Sequence, residues 1–196
     1  MTPPLLDAPS LRRTLERMAL EIAGADPGQD VPVLVGIQRG GVAVARRLAI
    51  ELATILGRAV PCGTLDVTFY RDDLDRRAAP TVHPTEIPGD IQGRRVVLVD
   101  DVFFTGRTIR AAMDALHEFG RPSHVQLAVV IDRGHRQLPI RPDVVGHEVT
   151  TTLGQSVLVR CAPGGDGDGD GVFLREAPAH DSPKEPATTE SLSHAS

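Results

Sequence analysis

VVLVDDVFFTGRT (residues 96–108) reads as a strand, a loop and the first turn of a helix. Its unbroken valine and leucine run suits a parallel strand covered on both faces. The strand delivers two adjacent acids, Asp100 and Asp101, at its C-terminal end, the edge where open parallel sheets bind ligands. Val102, Phe103 and Phe104 lead into Thr105, Gly106, Arg107 and Thr108, which open the next helix. Gly106 lets the backbone come close to a ligand. The free N–H groups of the first turn, with the Thr105 and Thr108 hydroxyls, make an anion site that the helix dipole assists. One loop thus offers carboxylates at one end and phosphate donors at the other. A sugar phosphate fits that pairing, its ribose hydroxyls on the acids and its 5′-phosphate in the cradle. Neither the G-x-x-x-x-G-K-[ST] of a P-loop nor the G-x-G-x-x-G of a dinucleotide fold is present.

Outward from this string the chain alternates strands and helices. Leu11, Leu15, Met18, Ala19 and Ile22 give an amphipathic helix with Asp7 or Ser10 as its cap. VPVLVGI (31–37) is a buried strand, 42–56 a helix ending at Gly57, and 59–70 a second strand. Ile109, Ala112, Met113, Leu116 and Phe119 continue the helix opened by Thr105–Thr108, and Gly120 and Pro122 stop it. VQLAVVI (125–131) is a further strand. The expected fold is α/β, a mainly parallel sheet with helices on both faces. VLVRC and VFLRE flank a Gly/Asp-rich stretch and can pair as a closing hairpin. GIQRGG (36–41) follows the first strand as a second phosphate element, where Arg39 can fork onto pyrophosphate and Gly40 permits close approach.

Residues 71–93 match neither period and read as a polar insertion, a lid beside the site. Residues 178–196 are rich in Pro, Ser, Thr and Ala and read as a disordered tail, leaving 1–177 as the folded domain. At 41% hydrophobic the chain can build a core, so wholesale disorder is excluded. No apolar run approaches the roughly 18 residues of a membrane span. MTPPLLDAPS lacks the basic start and apolar stretch of a signal peptide, and two cysteines, Cys62 and Cys161, make no disulfide framework. A reduced, cytoplasmic protein is expected. Asp166, Asp168 and Asp170 begin like an EF-hand loop, but Ala177 stands where the bidentate Glu belongs, so a solvated turn is the better reading. The histidines show no ligand spacing, and only His135 draws notice, as a surface residue.

The 96–108 string resembles the phosphoribosyl pyrophosphate (PRPP) signature of type I phosphoribosyltransferases. LDVTFYRDDL (65–74), DALHEFGRPS (114–123) and QLAVVIDRGHRQLPIRPDVVG (126–146) resemble the PyrR family more narrowly, over roughly residues 11–176. These are bifunctional pyrimidine-operon attenuation regulators with uracil phosphoribosyltransferase activity. The resemblance implies that uracil and PRPP give UMP and pyrophosphate, with Mg²⁺ carried on the PRPP rather than in a dedicated protein cage. It implies catalytic roles for Asp100, Asp101 and Arg39, with PRPP contacts from Gly40 and from 102–108. Arg133 and Val157 match the family's base pocket; an ion pair of Arg133 with Asp132 or another surface carboxylate is the alternative. Where relatives usually have Thr-Arg-Gly, this chain has Arg39, Gly40 and Gly41, as in xanthine–guanine enzymes, so a purine phosphoribosyltransferase stays open.

The resemblance also implies a homo-oligomer that binds pyr leader mRNA under control of UMP or UTP. RNA contact needs a positive surface, for which Arg12, Arg13, Arg17, Arg136 and Arg141 are candidates. Glu16, Leu20 and His147 depart from the family there, leaving a regulator with little enzymatic activity, or an enzyme alone, as further possibilities. The net charge of −5 does not exclude RNA: residues 1–162 carry 19 arginines and 19 acids, and the excess acidity begins after them.

Overall fold

The computed structural model describes residues 3–25, 31–70, 82–162, 167 and 169–176. Helix α1 (Ala8–Gly24) is capped by Asp7, whose carboxylate accepts from the Ser10 N–H at 2.9 Å. Leu11, Leu15, Met18, Ala19 and Ile22 form its buried stripe. Strand β1 (Val33–Ile37) is buried throughout, and α2 (Gly40–Leu56) follows it and closes at Gly57 with φ 65°. Strand β2 (Cys62–Leu65) is shorter than its sequence pattern. The Asp66 carboxylate turns back to accept from the Thr68 N–H and hydroxyl, and this local turn replaces ladder bonds with a 3-10 turn at Thr68–Tyr70. Then come β3 (Arg95–Phe103), α3 (Arg107–Leu116), a 3-10 turn (His117–Phe119), β4 (His124–Asp132) and β5 (Val144–Glu148). A hairpin of β6 (Gln155–Arg160) and β7 (Gly171–Glu176) closes the fold.

The sheet has the order β2-β1-β3-β4-β5 and is parallel throughout. One core packs α1, α2 and the inner side of the hairpin on one face; a second packs α3, Ile91 and Phe103 on the other. Every strand of this sheet therefore ends on one edge, and β3 ends near its middle. Strand β5 is not among the strands expected from the sequence, because a glycine interrupts its short pattern.

The expected hairpin forms, pairing Val157 with Leu174 and Val159 with Val172. Its turn differs from a solvated one. Asp170 points inward, 3.8 Å from the buried Arg47 guanidinium, and accepts from the Ala162 N–H at 2.8 Å. Burial raises the Cys62 thiol and pushes Cys161 up to about 11, with Asp170 adding to the latter. Both behave as packed thiols. Asp166, Asp168 and residues 71–81 and 178–196 lie outside the described residues. The remainder of the expected insertion is anchored. Glu86 pairs with Thr64, Ile91 is fully buried, and the Gln92 side chain accepts from the Arg121 N–H. Among the described residues, no helix is long and apolar enough to cross a membrane.

Gly146 shows how closely α1 seats on the sheet. A Cβ there would lie 2.9 Å from the Thr14 methyl and collide with the Val130 carbonyl. Gly146→Ala is expected to cost about 1–3 kcal/mol by overpacking, read as a lower urea midpoint at unchanged slope. An unchanged midpoint would show that α1 does not sit this close to β5.

Candidate active site

The parallel register sets Gly36 of β1 beside Val99 of β3, so β1 ends level with the acids while β3 runs on to Phe103. Asp100 is buried at 7% exposure, and its Oδ1 accepts from the Asp101 N–H at 3.0 Å. Asp101 Oδ1 accepts from the Val102 N–H at 2.9 Å. Burial lifts the Asp101 carboxyl above its ordinary 3.8, while hydrogen bonds from the Asp100 side chain and the Val102 N–H pull the other way. Burial is the larger effect.

The GIQRGG turn lies directly against these acids. The Gln38 N–H donates to the Leu65 carbonyl at 2.9 Å, the Gln38–Arg39 peptide is cis, and Arg39 is exposed at the head of α2. A Cβ on Gly40 would overlap the Asp101 carboxylate, and one on Gly41 would overlap the Val99 carbonyl oxygen. A Cβ on Gly36 would lie 2.6 Å from the Val42 Cα. The sequence suggests glycines that admit a ligand. In the structure they admit β3, and so bring the GIQRGG turn against the acids.

Beyond Asp101 the chain turns through Gly106, at φ 91°, into α3. Thr105 and Thr108 are half-buried on either side of it. The Arg107 N–H donates to the Thr105 hydroxyl at 3.4 Å, and the Arg110 N–H to the Gly106 carbonyl at 3.0 Å. The first-turn N–H groups of an α-helix have no partners within it, and here they stand beside two hydroxyls. The residues of the expected cradle thus share one turn at the start of α3.

A collar formed by residues 133–140 surrounds this loop. The Arg133 N–H donates to the Phe103 carbonyl at 3.1 Å and the Gln137 N–H to the Thr105 carbonyl at 3.0 Å. Arg107 reaches Gln137 Oε1 at 3.4 Å, and Leu138 and Ile140 lie beside Gly106. Arg133 is nearly buried. Its Nε donates to the Thr151 hydroxyl at 3.1 Å, and its Nη2 donates to the Thr152 carbonyl at 3.0 Å and to the Gln155 carbonyl. The guanidinium also lies 4.2 Å over the Phe104 ring. The Asp132 carboxylate instead accepts from the Gly134 N–H at 2.9 Å, so the alternative ion pair is not the one formed. His135, expected at the surface, is half-buried with φ 63°; its Nε2 meets the Thr151 carbonyl at 2.8 Å and its ring meets Phe104 edge-on at 5.7 Å. Val157 is half-buried on β6 against the α1–α2 core. Sequence reading misses Thr151, Thr152 and Gln155, because a polar turn that holds an arginine through its carbonyls leaves no pattern of residue types. Among the described residues no group of three or more His, Cys, Asp or Glu could hold a metal.

The arginines expected to meet RNA flank the edge strand β5. On α1, Arg12 pairs with Glu16 at 4.0 Å, Arg13 bonds the Ser10 hydroxyl at 2.9 Å, and Arg17 pairs with Glu21 at 3.4 Å. Arg17 also donates to the Val145 and Gly146 carbonyls. On the other side, Arg136 and Arg141 are exposed in the connection from β4 to β5, whose Ile140 packs into the α3-side core. His147 is exposed on β5 between them.

Comparison with known proteins agrees with this architecture. Residues 4–159 match the phosphoribosyl transferase domain family. The chain is 54% identical over 171 residues to the "Bifunctional protein PyrR" of Roseiflexus sp. strain RS-1, covering 87% of this chain and 93% of that one. It is 53% identical over 178 residues to the protein of the same name from Streptomyces coelicolor, covering 90% and 91%. Among solved structures, a hypoxanthine phosphoribosyltransferase of Trypanosoma cruzi superposes with a TM-score of 0.69 at 16% identity, covering 90% of this chain and 98% of that one. A hypoxanthine-guanine phosphoribosyltransferase from Bacillus anthracis superposes at 0.61 and 16%, covering 81% and 87%. The purine enzymes share the fold alone, whereas identity above one half across nearly the whole chain is of another order: the protein belongs to the PyrR family, within the phosphoribosyltransferases.

Proposed function

We propose that the protein transfers ribose 5-phosphate from PRPP to uracil, giving UMP and pyrophosphate, and that with UMP or UTP bound it regulates pyrimidine-operon transcription by attenuation through the leader RNA. The observation that carries the enzymatic half is the seating of Gly40 on Asp101, which sets the acids between the GIQRGG turn and the Thr105–Thr108 cradle. Family membership supports both halves. A homo-oligomer and a cytoplasmic setting belong to the same reading.

In this reading the Thr105–Thr108 turn holds the 5′-phosphate, and Asp100 and Asp101 hold the 2′- and 3′-hydroxyls. Arg39, exposed at the head of α2, supplies donors to the pyrophosphate. As the N1–C1′ bond of UMP forms, the C1′–O bond to pyrophosphate breaks, the pyrophosphate keeps the electron pair, and uracil N1 loses its proton. Charge grows on the leaving group while C1′ becomes oxocarbenium-like. The protein's contribution is therefore positioning and electrostatic stabilisation. Asp100 and Asp101 are the oxygen donors suited to Mg²⁺, and two carboxylates without a third ligand group match a cation held mainly by substrate oxygens and water. When bound, that cation would neutralise pyrophosphate charge.

With PRPP and Mg²⁺, the purified protein should form UMP from uracil and no nucleotide from hypoxanthine, guanine or xanthine. Turnover on purines alone, in one base-panel assay, would sink the uracil reading.

Asp101→Asn should lower turnover at least about 100-fold yet raise the unfolding temperature at pH 7. Burial raises the folded-state pKa of Asp101, so its charged form opposes folding at neutral pH. That cost fades as pH falls through the raised value toward the unfolded 3.8. The variant's thermal advantage should shrink over the same interval. Equal melting temperatures at pH 7 would refute the electrostatic cost, and unchanged turnover would refute the assigned role.

For the regulatory half, a gel shift of the organism's own pyr leader RNA should require UMP. It should weaken with Arg136→Glu or Arg141→Glu, and log affinity should become less steep in log salt by about one unit for each phosphate no longer neutralised. No shift at low salt would leave only the enzyme.

A further inference from the structure

The Gln38–Arg39 turn has two supports. The inner one is the close contact of Gly40 and Gly41 with β3. The outer one is a single hydrogen bond, from the Gln38 N–H to the Leu65 carbonyl at 2.9 Å, where β2 ends. Strand β2 is the outermost of its sheet, so a sheet neighbour steadies it on one side only. A strap of residues 83–86 holds its other side. Glu86 and Thr64 exchange two main-chain bonds of 2.9 Å, and the Thr64 hydroxyl donates to the Pro84 carbonyl at 3.1 Å. The strap lies so close that a Cβ on Gly63 would collide with the Glu86 carbonyl.

One bond of the strap falls on the peptide unit that carries the turn. The Asp66 N–H donates to the Thr85 hydroxyl at 3.0 Å, and the carbonyl of that same unit, on Leu65, accepts from Gln38. A single rigid plane is therefore gripped at both ends, and hydrogen bonds in such a chain strengthen one another. The Asp66 carboxylate locks the arrangement. It is nearly buried and accepts from the Thr68 N–H at 2.7 Å, from the Thr68 hydroxyl and from the His83 N–H, two residues before Thr85. Burial works against its charge, but the bonds from Thr68 and His83 prevail and hold the carboxyl below its ordinary 3.8. Both its oxygens are thus engaged by the protein's own donors.

We infer that Thr85 and Asp66 are positioning residues: they fix the Leu65–Asp66 peptide, through it the Gln38–Arg39 turn, and so the place of the Arg39 donors for pyrophosphate. This rests on the phosphoribosyl transfer proposed above, with Arg39 on the leaving group.

The test compares two ligands. Magnesium pyrophosphate and ribose 5-phosphate are titrated by calorimetry into the full chain and into Thr85→Val, Thr85→Ser, Asp66→Asn, Arg39→Ala and the Thr85→Val/Arg39→Ala pair. Thr85→Val should weaken pyrophosphate about three- to tenfold, the worth of one neutral hydrogen bond, and should lower kcat/KM for PRPP alike. Ribose 5-phosphate should change less than about twofold, because the cradle at the start of α3 is held by other bonds. Thr85→Ser keeps the hydroxyl and should restore pyrophosphate binding. In the Arg39→Ala background Thr85→Val should have no further effect, as expected when one residue acts through the other. Asp66→Asn should follow Thr85→Val, and Thr85→Val alone keeps the test decisive if Asp66→Asn folds poorly. Equal weakening of both ligands means general loosening and overturns the inference. Unchanged pyrophosphate affinity, failure of Thr85→Ser to restore it, or additive losses with Arg39→Ala overturn it too, as does pyrophosphate that does not bind the unsubstituted protein. If that protein forms no UMP from uracil, the functional reading fails, while the same affinities still decide whether Thr85 holds the turn.

Discussion

No side chain fits between the start of α2 and the end of β3, and the site depends on that close approach. Gly40 lies on the Asp101 carboxylate and Gly41 on the Val99 carbonyl; a single methyl group at either place would push the helix off the strand. Because β1 and β3 run parallel in register, the same approach also fixes where Arg39 stands relative to the acids. Asp101 is thereby enclosed. The head of a helix and a backbone N–H favour its charge, by roughly 0.3–1 kcal/mol for a helix terminus at a surface. Burial outweighs them, since the carboxyl sits above its ordinary pKa. A carboxylate held at a cost is relieved by any ligand that brings hydroxyl donors or a cation. Folding alone would favour removing Asp101.

The strand, acids and cradle of 96–108 are legible because periodicity, turn chemistry and ligand chemistry all lie in one continuous string. The role of Gly40 is not, because the atom that excludes its side chain is 61 residues away. Arg133 can be singled out, but its partners cannot: two of them are backbone carbonyls, which every residue carries. The sequence pattern overextends β2 because Asp66, within a β-like run, prefers to bond the backbone two residues ahead. It also puts Asp170 in solvent, because a Gly/Asp repeat looks solvated. The Asp170 charge instead meets Arg47, which α2 buries under the hairpin. In each case a partner distant in sequence, or a competing bond along the chain, outweighs a correct local preference.

Charge in the body of the protein is also reorganised by the fold. Nineteen arginines with no lysine suggest a surface suited to phosphates. Several of them are structural. Arg95 is buried, bonding the Ile22 carbonyl at 2.7 Å and Gln126 at 2.8 Å; Arg94 reaches the Val31 carbonyl; Arg47 meets Asp170. Arg133 is committed to the turn at 151–155. A guanidinium serves these positions because its donors fan out in a plane and can hold two acceptors at once, which an ammonium on a single point does less well. The arginine preference thus belongs partly to the core. On α1, Arg12 and Arg17 face acids one turn away, pairs worth little to stability in water but sufficient to soften the positive potential. Arg136 and Arg141 are exposed in the connection that leads into β5, the edge strand. An RNA held there would touch the same 133–141 connection that braces the phosphate loop. In the function proposed above, nucleotide occupancy and RNA contact would then meet in one short segment.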